Sequence, residues 1–210
     1  MNNSVSNTVR LLWASLRALL VLTLVTGVVY PLVITGIAQG LFSNKANGSE
    51  IKADGRVVGS SLIGQQDYSL DYFQPRPADR LSTDTINKQC RLLVSGATNL
   101  AADNPKLVTS VEQAKAKVVR ENSTPGHPVR PSQVPADAVT SSGSGLDPDI
   151  SPAYAALQVH RVAARNHLSV DQVDRLVKDH TTGRTLGFIG EPRVNVLQLN
   201  IAVKELAKGA

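Results

Sequence analysis

The chain has 210 residues, of which only 4% are aromatic, and a formal net charge of +5 at pH 7. This length accommodates one membrane anchor and one modest domain, but hardly two full domains. The positive charge is spread along the chain, which argues against nucleic acid as a partner, and a single cysteine, Cys90, excludes an intrachain disulfide and a cysteine-cluster metal site.

The first predicted element is a transmembrane helix at residues 18–42, with the sequence ALLVLTLVTGVVYPLVITGIAQGLF. This stretch has no charged side chain, and as a helix it extends about 37 Å, enough to cross a bilayer core with some tilt. A cleavable signal peptide is the alternative, because Gly36 and Ala38 have cleavage-type spacing. The apolar run is longer than a signal peptide requires, which favours an uncleaved anchor.

Two features inside this segment concern its geometry and packing. Tyr30-Pro31 is expected to distort the helix, because proline cannot donate a backbone hydrogen bond. Gly36 and Gly40 form a GxxxG motif, through which a second helix could approach closely.

The charges that flank the span predict its orientation. Residues 1–17 contain Arg10 and Arg17 and no acidic residue, whereas the lysines just after the span are balanced by Glu50 and Asp54. The positive-inside rule then places residues 1–17 in the cytoplasm and the rest of the chain outside it. We therefore predict a single-pass protein of the cell (inner) membrane with an extracytoplasmic domain.

Behind the anchor, residues 43–55 are predicted to be a polar linker, and residues 56–210 to form one small α+β domain. Short strands are expected at residues 56–58 and 61–64, followed by a packed, irregular segment at residues 68–77 that is rich in aromatic residues and proline. Asn104-Pro105 has the pattern of an N-cap and first-turn proline, which predicts a helix.

The second half of the domain carries further helix-start signals. Ser151-Pro152 predicts a helix that runs to about Asn166, and Ser169 to Gln172 has the spacing of a capping box. A short strand is expected at residues 185–189, and a closing helix after Pro192. Residues 122–135 hold four prolines and are expected to be an extended loop.

The loop at residues 141–152, SSGSGLDPDISP, invites a binding interpretation. A phosphate-binding P-loop needs a lysine and a hydroxyl after its glycines, and an EF-hand needs alternating oxygen ligands with a distal glutamate. Neither pattern is present. Asp-Pro and Ser-Pro pairs start turns and helices, so the loop is interpreted as a turn and helix cap.

Few other residues suggest chemistry. Ser49 and Lys52 match the SxxK pattern of serine hydrolases, which leaves a membrane-tethered extracytoplasmic hydrolase as one alternative. Arg161 and Arg165 are four residues apart beside Gln158, so they form either an anion-binding module or a solvated helix flank. The four histidines, His127, His160, His167 and His180, lack ligand spacing, and no metal site is predicted.

Taken together, several segments resemble the KdpC family, the C subunit of the Kdp potassium-transporting P-type ATPase complex. They occur in the family's order over nearly the whole chain and are GVVYPLVITGIAQGLF (27–42), NGS (47–49), GSSLIGQ (59–65), YFQPRP (72–77), SGATNL (95–100), VTSSGSGLDPDISPAYAALQVHRVAARNHLS (139–169), HTTGR (180–184) and GEPRVNVL (190–197). Each segment alone is weak evidence for the family, but the ordered set of segments is specific to it.

The resemblance implies an accessory subunit that has no catalysis of its own and is needed for assembly and stability. Its partners would be a potassium-channel-like pore subunit, a P-type ATPase subunit, a small membrane subunit and membrane lipid, and ATP would be supplied by the complex. Neither the DKTGT phosphorylation signature nor a TGES loop occurs in the sequence.

The family is also described as a catalytic chaperone that raises the ATP affinity of the pump subunit. In that description a glutamine on the helix after the SGSGLDP segment contacts ATP, and Gln158 is the matching position. Gln158 and Arg161 are therefore the candidate nucleotide contacts. Because ATP is cytoplasmic, this expectation conflicts with the predicted extracytoplasmic position of the domain.

Overall fold

The computed structural model of the chain describes residues 2–66, 68–78 and 95–209, so Cys90 lies outside the described residues. The chain divides into two compact units, Met1–Glu50 and Ile51–Ala210. The first unit is helical. The second combines helices with two small sheets, which confirms the α+β class.

A single long helical stretch makes up most of the first unit. It consists of α1 (Asn2–Leu24), a π-helical turn (Val25–Val29) and α2 (Tyr30–Leu41). Residues Val5–Leu41 form a helix long and apolar enough to cross a membrane, judged by length and composition. The helix thus begins well before residue 18, where the apolar run itself starts.

The expected distortion at Tyr30-Pro31 is present as the π-helical turn. Proline has no N–H for the carbonyl four residues earlier, and its ring crowds the preceding turn, so the backbone widens just before Pro31. Within this turn, Thr26 Oγ1 donates to the carbonyl of Leu22 (2.7 Å). A hydroxyl therefore satisfies a backbone acceptor beside the widened turn.

Residues 43–55, the predicted polar linker, carry short elements of regular structure. They contain a helical turn, α3 (Ser43–Ala46), and strand β1 (Glu50–Ala53), which pairs with β2 (Arg56–Ser60). Asp54 and Gly55 connect the strands with φ values of 50° and 74°. This left-handed pair suits a two-residue hairpin turn, and Asp-Gly is a favoured sequence for it.

The strand expected at residues 56–58 is confirmed within β2, but the one expected at 61–64 is wrong. That segment is a bend, because the N–H of Gly64 donates to the carbonyl of Leu146 (2.8 Å) rather than to a neighbouring strand. A Cβ on Gly64 would lie 2.3 Å from the carbonyl oxygen of Asp147. Glycine is therefore required where these two loops meet.

Four helices form the body of the second unit: α4 (Pro105–Asn122), α5 (Pro152–Arg165), α6 (Val170–Asp179) and α7 (Val196–Lys208). The caps predicted for α4, α5 and α6 are confirmed. Asn104 accepts from the N–H of Lys106 (2.9 Å), Ser151 accepts from that of Tyr154 (3.0 Å), and Ser169 forms a capping box with Gln172. Each cap supplies a partner for an N–H that the first helical turn leaves unpaired.

A three-stranded antiparallel sheet lies beside these helices in the order β3-β5-β4, formed by Asp149–Ile150, Arg193–Asn195 and Thr181–Thr182. The strand expected at residues 185–189 is wrong, because that segment is a turn closed by a bridge between Thr185 and Ile189. Leu186 and Gly187 adopt φ values of 54° and 83°. Such left-handed backbone reverses a chain instead of extending it.

The core of the domain is centred on α5, with α6 and α7 packed around it. The apolar core side chains contributed by these helices are Tyr154, Ala155, Val159, Val162, Ala163, Val173, Val177, Val196, Leu199 and Val203. Phe73, from the irregular segment at residues 68–77, is completely buried among them. Burial of this large ring fixes the segment in the core although it forms no strand.

Candidate functional site

Two side-chain amides hold the irregular segment in place. The Gln158 side chain on α5 accepts from the N–H of Gln74 (2.7 Å) and donates to its carbonyl (3.1 Å). The Asn200 side chain on α7 likewise accepts from the N–H of Phe73 (2.8 Å) and donates to its carbonyl (3.0 Å). The two amides thus satisfy consecutive backbone groups in place of a neighbouring strand.

Arg161 extends this network below the surface of the domain. Its Nε donates to Asn122 Oδ1 (2.9 Å), its Nη2 donates to Gln158 Oε1 (2.7 Å), and its Nη1 donates to two backbone carbonyls, those of Leu70 and Tyr72. Arg161 is only 2% exposed. The alternative that it belongs to a solvated helix flank is therefore wrong.

Burial shifts the acidity of this guanidinium. Removal from water lowers the pKa of Arg161 to about 10, so the side chain stays charged at neutral pH. Among the described residues, no carboxylate oxygen lies within 4.0 Å of it. Its four hydrogen-bond partners are all neutral.

The candidate nucleotide contacts are thus placed together, but in the interior. Gln158 is completely buried, and its amide makes three hydrogen bonds, two to Gln74 and one to Arg161. A nucleotide could reach this amide only if those bonds were broken. Arg165, one turn further along α5, is exposed, and its Nη1 lies 3.7 Å from Asp71 Oδ1.

The SxxK pair is placed differently from the pairs in serine–lysine hydrolases. A serine and lysine three residues apart share a face on a helix, where their side chains can meet. Here Ser49 has a φ of 52°, and Lys52 lies in strand β1, along which successive side chains alternate between faces. The local backbone therefore lacks the helical geometry that would bring the side chains of a serine and a lysine at this spacing together.

The loop at residues 141–152 forms a turn and a helix cap, as predicted. Gly145 has a φ of 67° and donates to the carbonyl of Ser142 (3.2 Å). Asp147 accepts from the N–H of Asp149 (3.1 Å) and from Arg76 Nη1 (2.9 Å). The Asp147 carboxylate thus takes part in a hydrogen bond within the turn and in an ion pair with Arg76.

The histidines include a contact that sequence spacing could not predict. The rings of His127 and His160 stack with centroids 3.6 Å apart and an interplanar angle of 11°. Burial and the adjacent His127 lower the pKa of His160. Within the described ranges, no group of three His, Cys, Asp or Glu side chains is arranged to hold a metal ion.

A second surface feature, here called the apolar tip, consists of Leu186, Phe188 and Ile189. These side chains are 80%, 72% and 52% exposed. The turn that carries them is held by two hydrogen bonds between Thr185 and Ile189, at 2.9 and 3.0 Å. An ordered turn that presents three large apolar side chains is typical of an interaction site.

The apolar tip was not predicted from the sequence, because residues 185–189 were expected to form a strand. The useful signal is the run Thr-Leu-Gly-Phe-Ile-Gly at residues 185–190. Two glycines inside and after so short an apolar run favour a turn over a strand. Apolar side chains on a turn project into solvent, since no second element covers them.

Comparison with known proteins gives one consistent result. The family model for KdpC, described as K+-transporting ATPase, c chain, matches residues 12–205. The potassium-transporting ATPase KdpC subunit of Streptomyces avermitilis is 66% identical over 218 residues, covering 98% of both chains. The corresponding subunit of Streptomyces coelicolor is 66% identical over 100% of this chain and 99% of the relative. The KdpC subunit of Mycobacterium tuberculosis H37Rv is 44% identical, over 94% of this chain and 99% of the relative.

Proposed function

Since the chain belongs to the KdpC family, the c chain of the K+-transporting ATPase, we propose that it is a non-catalytic subunit that stabilises the assembled pump. Its partners in this proposal are the pore subunit, the P-type ATPase subunit and a small membrane subunit, together with membrane lipid. The anchor associates with the membrane-embedded partners, and Gly36 and Gly40 supply a close-packing face.

The observation that carries this proposal is the apolar tip. Exposed Leu186 and Phe188 are unfavourable in water, and Leu186 also has the left-handed φ of 54° that non-glycine residues rarely adopt. Both costs are offset if the tip is covered by an apolar pocket of another subunit. A free-standing hydrolase has no comparable need for such a tip, so the subunit role is favoured over the Ser49/Lys52 alternative.

In this proposal, ATP is bound by another subunit of the complex. Gln158 supports the backbone of Gln74 and the guanidinium of Arg161, and direct nucleotide contact would require it to give up three hydrogen bonds. Any increase in the ATP affinity of the pump is then indirect. It would follow from how this subunit stabilises its partners.

We also propose that the domain lies outside the cytoplasm. Arg10 and Arg17 precede the apolar helix without a compensating acid, and the positive-inside rule keeps such a terminus in the cytoplasm. An extracytoplasmic domain is separated from cytoplasmic ATP by the membrane. The proposed orientation and the absence of direct nucleotide contact thus support each other.

Co-purification of the pump subunits with Phe188→Ser tests the role of the apolar tip. Phe188 is exposed, so its replacement should leave the melting temperature of the chain nearly unchanged. The variant should retain clearly less of the partner subunits than the unmodified chain. Potassium-stimulated ATPase activity of the purified material should fall in proportion.

The matched control is Val108→Ser, which removes an exposed apolar side chain from α4. This variant should assemble as the unmodified chain does. If Phe188→Ser and Val108→Ser retain equal amounts of the partners, the apolar tip is not the docking element.

A further inference from the structure

An open cleft of about 540 Å³ lies on the domain where the ends of α4 and α5 meet. Three of its lining side chains are arginines, Arg120, Arg161 and Arg165, and one is an acid, Glu121. The hydroxyl-bearing residues Ser123 and Thr124 complete the polar part of the lining. The cleft therefore has an excess of positive charge and the N–H donors of its arginines, whereas the Ser123 hydroxyl already donates to the carbonyl of Val119 (2.7 Å).

Arg161 is the most informative of these residues. Charged side chains that are buried this deeply usually have an oppositely charged partner, because an isolated buried charge is costly. Arg161 lacks one among the described residues, and its four hydrogen bonds leave one of its five N–H groups without a recorded acceptor. The carboxylates of Glu121 and Asp71 thus act on this guanidinium only from beyond 4.0 Å, and its charge is only partly compensated.

The other two arginines lie where helix dipoles favour cations. Arg120 and Arg165 are in the last turns of α4 and α5, and this placement by itself would explain each of them separately. It does not explain Arg161, which lies a full turn before the helix end. Nor does it explain why the exposed arginines border the same cleft as the buried one.

The contacts that Arg120 and Arg165 make in the structure leave their guanidinium groups available to an anionic ligand. Arg165 Nη1 is 3.7 Å from Asp71 Oδ1, which is an ion pair but longer than a hydrogen bond. Glu121, the acid in the lining, lies 4.0 Å from Lys117 Nζ. A ligand with several anionic oxygens could therefore bind these guanidinium groups without breaking a short ion pair.

We propose that this cleft binds a phosphate-type oxyanion, with Arg120 and Arg165 contacting its oxygens and Arg161 providing a buried positive charge beneath them. The planar, multi-donor guanidinium groups suit the geometry of phosphate. The volume exceeds that of one phosphate group, so the organic part of a phospholipid headgroup would also fit. The site shares no residue with the apolar tip, so its test does not depend on the proposed subunit role.

Two measurements on the full-length chain separate a free anion from a lipid. In phosphate-free zwitterionic detergent, inorganic phosphate is titrated and binding is followed by calorimetry. In a parallel arm, the chain is reconstituted into nanodiscs of phosphatidylcholine with or without phosphatidylglycerol. Hydrogen exchange of residues 120–124 and 161–165 then reports occupancy of the cleft.

Arg165→Gln should weaken binding about tenfold, the effect expected for a lost charge-assisted hydrogen bond. Arg120→Gln provides a second, independent variant. The matched control is Arg175→Gln, which removes an exposed arginine from α6 and should bind as the unmodified chain does. Added salt should weaken the interaction, because it screens the exposed charges.

Saturable binding of inorganic phosphate that depends on Arg165 or Arg120 supports the site and identifies a free anion as sufficient. Protection only with phosphatidylglycerol, with the same dependence on the arginines, supports the site and identifies a lipid headgroup. Absence of binding in both arms overturns the proposal. So does binding that neither variant weakens relative to Arg175→Gln.

Discussion

The side-chain amide of Gln158 and the backbone of Gln74 form a reciprocal pair of hydrogen bonds, at 2.7 and 3.1 Å, although the two residues are 84 positions apart. A glutamine side chain here takes the place that a neighbouring strand would occupy. The same relationship joins Asn200 to Phe73. Two helices thus fix an irregular segment through side chains rather than through backbone pairing.

Replacing Gln158 by alanine should destabilise the domain. The change leaves the N–H and carbonyl of Gln74 and one donor of Arg161 without partners, and each buried unpaired group costs about 1–3 kcal/mol. We expect a clear fall in the melting temperature of the full-length chain and faster hydrogen exchange at Phe73 and Gln74. Differential scanning and hydrogen-exchange mass spectrometry measure these effects.

The control for that variant is Gln198→Ala on α7, where the glutamine is exposed. It should change the melting temperature little. A Gln158→Ala chain that melts normally but no longer raises the ATP affinity of the pump would contradict the structural role. That result would favour direct nucleotide contact.

Gly64→Ala should also destabilise the fold. The added Cβ would lie 2.3 Å from the carbonyl oxygen of Asp147, so the two loops must separate and lose the hydrogen bond between Gly64 and Leu146. Overpacking of this kind costs about 1–3 kcal/mol. Gly143→Ala, which meets nothing within 4 Å, should be tolerated, and chemical denaturation compares the two variants.

The stacked histidines should make stability depend on pH. Burial, reinforced by His127, lowers the pKa of His160 in the folded chain below the ordinary value of about 6.5. The unfolded chain then binds a proton more readily, so stability is retained above about pH 6.5 and decreases as the pH falls towards the folded pKa.

His127→Gln removes the charge that opposes protonation of His160, so the pKa of His160 should rise and the loss of stability on acidification should shrink. NMR titration of the imidazole C–H signals measures the first effect, and melting temperatures above and below about pH 6.5 measure the second. His167→Asn, at an exposed position with a φ of 57°, is the control. Equal pKa values of His160 in the two variants would contradict the coupling.

Thiol accessibility tests the orientation of the chain. Gln158 is unsuitable as a probe because it is completely buried, whereas Lys178 on α6 has a side chain that is 72% exposed. In a Cys90→Ser background, Lys178→Cys should react with an impermeant maleimide in intact cells. Asn7→Cys should react only after permeabilisation, and the reverse pattern would place the domain in the cytoplasm.

Local sequence signals predicted the helices of the domain well. The caps at Asn104, Ser151 and Ser169 and the distortion before Pro31 were all predictable, because each depends on residues within a turn of one another. The loop at residues 141–152 was likewise identified as a turn and cap. The SxxK match at Ser49 and Lys52, by contrast, was a matter of spacing alone, and the structure places Lys52 in a hairpin strand.

The sequence by itself thus determined the long apolar helix, the helix starts and the family, since these depend on composition, short spacings and ordered motifs. Only the tertiary structure decided that Arg161 is buried while Arg165 is exposed, although both lie on α5 and have the same charge. Burial depends on which distant segment packs over a residue. Here that segment is held by Gln158 and Asn200, and no local pattern encodes those contacts across more than 80 residues.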